Sequence, residues 1–127
     1  MQIDIVIPTY NRSALLARAL RSLFDARMPP GCTAAIHVAD NNSRDDTAAV
    51  VTSLAAQAPL PLHYHFVAQQ GVTYARNAAI AAGSGDIIGF IDDDERVDAG
   101  WIEEIARAFA DPVLDFIGGP YLPEWEA

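Results

Sequence analysis

The sequence predicts an α/β fold, an open, mostly parallel sheet with helices on both faces. Two observations carry that expectation. Short apolar runs alternate with helical-period segments along most of the chain, which is the pattern of repeated strand–helix units. The first run, Ile3 to Ile7, is nearly continuous rather than alternating, as expected of a strand buried on both faces.

Pro8 stops that run, and Asn11 or Ser13 is placed to cap a helix in which Leu15, Leu16, Ala19, Leu20, Leu23 and Phe24 recur at helical spacing. Met28-Pro29-Pro30-Gly31 breaks it. Ala35 to Ala39 is a second strand, and a polar turn from Asp40 to Asp46 leads into a helix faced by Val50, Val51 and Leu54. Leu62 to Val67 alternates as a third strand, with His63 and His65 on one face. Two histidines suit a metal, but without a third ligand nearby a half-exposed strand face is the expectation. A third helix runs from about Thr73 to Ala82 and ends at Gly83-Ser84-Gly85; its alanines permit close packing on the sheet. Ile87 to Ile91 is the fourth strand. Trp101, Ile102, Ile105, Ala106 and Phe109 mark a fourth helix, and Val113 to Ile117 a fifth strand closed by Gly118-Gly119-Pro120.

At 127 residues the chain is expected to form one domain. Its net charge of -9 argues against nucleic acid or an anionic membrane as a partner and suits a cation site. The single cysteine, Cys32, is expected to be an apolar filler in a reducing compartment. With no leader-like or membrane-spanning stretch in view, a soluble, cytoplasmic protein is expected.

Folding alone accounts least well for Asp92-Asp93-Asp94-Glu95, four carboxylates that follow an apolar strand. Adjacent acids repel and call for positive charge. In an extended backbone Asp92 and Asp94 share one side, where both can face a divalent cation and its bound phosphates. The other reading is an acidic turn leading into the helix that begins near Ala99. Ligands of open α/β sheets bind beyond the carboxyl ends of the strands. Pro8-Thr9-Tyr10-Asn11, Asp40-Asn41-Asn42 and the acidic run all fall there, and this convergence favours the functional reading. Arg76, near a helix start, suits either a phosphate or an ion pair with the acidic run. Asp40 or Asn41 can read a base edge and Tyr10 can stack on it, or all three can serve the turn and its packing. Neither GxGxxG nor a P-loop is present.

These segments resemble the GT-A fold glycosyltransferases of family 2. The resemblance rests on Val6-Ile7-Pro8-Thr9-Tyr10-Asn11-Arg12, Val38 to Thr47, Gly71 to Ile80, and Gly85 to Asp94, which ends like that family's DxD motif. It implies a nucleotide-sugar donor, often a UDP-sugar, held through Mn2+ or Mg2+, and transfer to an acceptor hydroxyl with inversion. By position it places Pro8, Thr9 and Tyr10 in the nucleoside pocket and Asp40 with Asn41 near the base. Many relatives carry an aspartate where Asn41 stands. It turns Arg76 toward the nucleotide, puts Asp92 near ribose and metal, makes Asp94 the direct metal ligand, and includes Asp93 in the donor-binding set. Gly118 and Gly119 resemble a turn near the donor sugar. The family's base and acceptor region lie well beyond DxD. Glu124 and Glu126 read as a solvated tail, so residues 1–127 are expected to be a donor-binding portion, truncated after the fifth strand, with its base unassigned and its acceptor a saccharide, lipid or protein.

Two rivals fit less well. A receiver-type regulatory module calls for an acidic pair after the first strand and a lysine after the last, and the chain has no lysine. A nucleotidyltransferase calls for a glycine-rich basic loop where Ser13-Ala14-Leu15 stands.

Overall fold

The computed structural model describes residues 1–83 and 85–110. The expected fifth strand, its Gly118-Gly119-Pro120 closure, and Glu124 and Glu126 lie outside the described residues, as does Ser84. Among the described residues four strands and four helices alternate: β1 Gln2–Thr9, α1 Ser13–Phe24, β2 Thr33–Asp40, α2 Thr47–Ala55, β3 Leu62–Phe66, α3 Val72–Ala82, β4 Ile87–Phe90 and α4 Trp101–Ala108. The strands form one parallel sheet in the order β3-β2-β1-β4.

That order explains where the helices lie. The chain steps outward from β1 to β3 and then returns to the far side of β1 for β4. With right-handed crossovers, reversing the direction of travel moves the connecting helix to the opposite face. Accordingly, Ile3, Ile5 and Ile7 of β1 pack in one cluster with Leu16, Leu20 and Leu23 of α1, Val51 and Leu54 of α2, and Ile102 and Ile105 of α4. Ile3, Ile5, Ile7, Leu16 and Leu20 are fully buried; each contributes about 1.5–3 kcal/mol by leaving water. On the other face Ala75 and Ala79 of α3 rest on Val6 and Ala39. The small alanine side chains bring this helix close to the strands, as its composition suggested.

The α3 face also holds polar groups. The register pairs Val6 with His37 and His37 with His63, which aligns a histidine patch with Asp4. His37 Nδ1 lies 3.0 Å from His65 Nε2, and His37 Nε2 3.4 Å from Asp4 Oδ1. The His37 ring stacks on both His63 and His65. With His63 exposed and His65 intermediate, β3 presents the half-exposed face expected of it; the spacing within β3 did not reveal the stacking partner His37. Asp4 Oδ2 accepts from the Gly85 N–H at 2.6 Å. A Cβ at Gly83 or Gly85 would stand 2.5 or 2.8 Å from that oxygen. These glycines thus do more than end a helix; their bare backbone admits the carboxylate.

The start of α1 also departs from expectation. Neither Asn11 nor Ser13 caps it; Arg12 is the N-cap residue and makes no side-chain cap. The neighbouring β2–α2 loop does the work instead, because Asp45 accepts the Ser13 N–H at 3.3 Å while the Ser13 hydroxyl donates to Asp46 at 2.5 Å. Asp45 also accepts the backbone N–H of Thr47 at 3.0 Å and its hydroxyl. The Thr47 hydroxyl above all, against slight burial, holds the Asp45 carboxyl below its ordinary range.

Candidate functional site

The order of strand addition reverses between β1 and β4, and open α/β sheets leave a crevice at that point. A cavity of about 290 Å³ lies there. Pro8, Thr9, Tyr10 and Arg12 form one wall, Asp92, Asp93 and Asp94 another, and Asn41 with Val72 completes the lining. Seven residues singled out in the sequence thus meet around one space, while Asp40 and Arg76 stand outside the lining.

Each wall is built by local chemistry. Asn11 follows the end of β1 with a φ of 51°, a left-handed conformation that asparagine tolerates. Its N–H donates to Ser43 Oγ and its Oδ1 accepts from the Arg44 N–H, both at 2.8 Å. Asn42 is left-handed too, with φ 70°. The two loops therefore turn sharply and fasten to each other, leaving Tyr10 about half exposed at the rim.

The acidic run is not extended; a turn rather than a strand sets Asp93 apart from Asp92 and Asp94. The Glu95 N–H donates to Asp92 O at 3.1 Å, and the Asp92 N–H to Glu95 Oε1 at 2.6 Å. Asp92 and Asp94 stay exposed while Asp93 turns inward to 6% exposure. There the Thr9 hydroxyl donates to Asp93 Oδ2 at 2.9 Å and Arg12 NH1 to Oδ1 at 3.3 Å. Burial pushes the Asp93 carboxyl above its ordinary range; Thr9 and Arg12 pull it down incompletely, and Asp94 pushes with burial. Arg12 NH1 also lies 3.7 Å from Asp94 Oδ2. Arg12 is the site residue that sequence reasoning missed. Its position directly after Tyr10-Asn11 at a strand end was the available signal.

Arg76 lies 3.7 Å from Asp92 and 5.7 Å above the Phe90 ring, in ion-pair and cation–π range. Its Nε is buried without a hydrogen-bond partner, an uncommon state for a guanidinium nitrogen. Asp40 and Asn41 are both buried and engaged. Asp40 accepts from the Ser43 N–H at 2.9 Å and from the Tyr64 hydroxyl, and burial first, then Asp40, raises the Tyr64 hydroxyl's pKa. The Asn41 side chain donates to Val67 O at 3.3 Å and Gln69 O at 2.7 Å and accepts from the Gly71 N–H at 2.8 Å. It ties the β3–α3 loop to the end of β2.

Among the described residues no group of three or more His, Cys, Asp or Glu side chains forms a ready-made metal cage. Asp92 and Asp94 nevertheless fit a hard divalent cation of the kind that takes one or two carboxylates and completes its shell with water and phosphate oxygens. Both are exposed oxygen donors on one cavity wall.

The fold is a doubly wound α/β domain with a carboxylate-lined cavity at its strand ends. The Glycosyl transferase family 2 model matches residues 4–126, and the chain belongs to that family. It is 32% identical over 133 residues to the succinoglycan biosynthesis protein ExoM of Rhizobium meliloti, covering 98% of this chain and 42% of ExoM. It is 31% identical to the GalNAc(5)-diNAcBac-PP-undecaprenol beta-1,3-glucosyltransferase of Campylobacter jejuni, covering 84% of this chain and 34% of that protein. The chain thus spans less than half the length of these relatives. Among solved structures, the mannosyltransferase PcManGT of Pyrobaculum calidifontis in complex with GDP-Man and Mn2+ superposes with a TM-score of 0.81 at 24% identity, over 88% of this chain and 33% of that one. TarS of S. aureus, residues 1–349 with UDP-GlcNAc, gives 0.79 at 21% identity over 98% of this chain and 37% of that one. These likenesses establish the GT-A fold. No helix among the described residues is long and apolar enough to cross a membrane.

Proposed function

We propose that this chain is the donor-binding portion of an inverting glycosyltransferase, a cytoplasmic enzyme that moves a sugar from a nucleoside diphosphate, UDP in the first instance, to an acceptor hydroxyl. The observation that carries the reading is the cavity at the reversal of strand order, where Pro8, Thr9 and Tyr10 face Asp92 and Asp94 across about 290 Å³. In this reading Tyr10 stacks on the base and Pro8 with Thr9 flanks the nucleoside. Asn41 lines the pocket beside the base and shapes it through the loop it fastens, while Asp40 supports it from behind through the Ser43 N–H and the Tyr64 hydroxyl. Arg76, whose side chain is partly exposed beside Asp92, turns toward the phosphates.

Asp94 and Asp92 would hold Mn2+ or Mg2+, and Asp93 anchors the turn that carries them. A bound divalent ion supplies positive charge against the departing diphosphate. The acceptor oxygen bonds to the anomeric carbon as the bond from that carbon to the phosphate oxygen breaks, and the hydroxyl proton passes to a base. None of the described residues is assigned as that base, so the isolated chain is expected to bind donor and to transfer little sugar.

Calorimetric titration with UDP in the presence of Mn2+, then in chelator, tests the reading. Binding that depends on the metal and is weakened in Asp94→Asn is the expected result. Equal binding with and without metal, or none under either condition, would sink it.

A further inference from the structure

The three aspartates of the acidic turn are not neutralised equally. Asp93 is held at hydrogen-bonding distance by both Thr9 and Arg12 in a buried setting. Asp92 and Asp94 each have an arginine only at 3.7 Å, beyond hydrogen-bonding reach, and both carboxylates are about half exposed. Arg12 therefore serves two masters with one nitrogen, NH1, which is anchored on Asp93 and lends its charge to Asp94. Its backbone is held as well: the Arg12 carbonyl accepts the first α1 hydrogen bond from the Leu16 N–H at 2.9 Å, and the residues on either side are fastened to the β2–α2 loop. The guanidinium, about half exposed and hydrogen-bonded to Asp93, thus places a positive charge on the cavity wall.

We propose that Arg12 is a built-in counter-ion that competes with the divalent cation for Asp94 and so sets the metal concentration at which the site loads. The inference rests on reading Asp92 and Asp94 as the metal-facing pair. Without metal, Arg12 relieves repulsion among the acids and keeps the turn in place. A divalent ion must draw Asp94 away from Arg12 and sit near a like charge. The opposing possibility is that Arg12 orients Asp94 for the ion, and the two roles predict opposite signs when the charge is removed.

Mn2+ binding is measured by the electron paramagnetic resonance signal of the free ion at low ionic strength, with and without saturating UDP. Arg12→Ala and Arg12→Gln are expected to bind Mn2+ alone about 1.5-fold to fivefold more tightly than the natural chain, the range of an exposed ion pair. Arg12→Lys, which keeps the charge, should stay near the natural value. Arg12→Gln retains a donor for Asp93, so agreement between it and Arg12→Ala separates the charge from any loosening of the turn. If the natural chain binds Mn2+ and Asp94→Asn does not, unchanged or weaker binding in both neutral variants overturns the counter-ion role and leaves the site reading intact. If the natural chain fails to bind Mn2+ even with UDP, or Asp94→Asn binds it equally, the site reading fails and the counter-ion role with it.

Discussion

Asp4 and Asp93 are almost equally buried, at 4% and 6% exposure, yet their carboxyls shift in opposite directions. At Asp4 burial pushes the pKa up, but the Gly85 N–H, Gln2 and His37 together outweigh it and the result is lowered. At Asp93 burial wins over Thr9 and Arg12, with Asp94 adding to it. The direction at each carboxyl is the balance of its desolvation against its partners. The contrast separates a region that is finished from one that is not: the α3 face satisfies its carboxylate, whereas the cavity edge keeps a carboxylate short of positive charge among others exposed beside it.

The sharpest way to break this contrast is to remove the finished carboxylate. Asp4→Ala leaves the Gly85 N–H and His37 without their partner and should lower stability by about 2–3 kcal/mol in urea unfolding at pH 7. A change near zero would mean that Asp4 is tolerated rather than needed. Thr9→Val, a near-isostere that removes one donor to Asp93, should cost about 1–2 kcal/mol and push the Asp93 carboxyl further up, which carboxyl-region NMR titration would follow.

The pH dependence is subtler and its signs follow from the shifts. Asp4 is lowered, so its contribution is present above 3.8 and is lost as pH falls from there through the folded value. Asp93 is raised, so the folded state takes up a proton before the unfolded chain does, and stability gained from this group grows as pH falls toward 3.8. Asp93→Asn should therefore lose ground to the natural chain as a urea series moves from neutral to acid. His65 is lowered by burial first and then by His37 and His63. Its contribution is complete above 6.5 and is lost as pH falls through the folded value, so His65→Gln should flatten the stability curve just below 6.5. The smallest expected effect is at the unfinished edge: Asp94→Asn removes a repelling, exposed charge and should leave the thermal midpoint in place.

The sequence displayed the layered fold because apolar runs and helical periods are local. β1, β2 and α1 were read nearly to their ends, and the acidic run stood out because nothing local explains it. The pairings were harder to see. Asp4 and His37 are polar residues inside apolar strands, which marks them as needing partners, but only the register between β1, β2 and β3 supplies them. Arg12 was hidden for the same reason: its hydrogen-bond partner Asp93 lies 81 residues away in sequence. Asp92 and Asp94 share the exposed side and Asp93 is buried, as the alternation had it, but a turn rather than an extended strand does this, and the helix expected near Ala99 begins at Trp101.

The mutual fastening of Asn11 to Ser43 and Arg44, and of Ser13 to Asp45 and Asp46, has an energetic consequence for any ligand that settles against the β1 wall. Two loops that already hold each other have little freedom left to surrender, so association there forfeits little conformational entropy. Selectivity at that wall then comes from the shape it already has: a base that does not suit it is rejected outright, because the wall has little means of moulding itself around the newcomer.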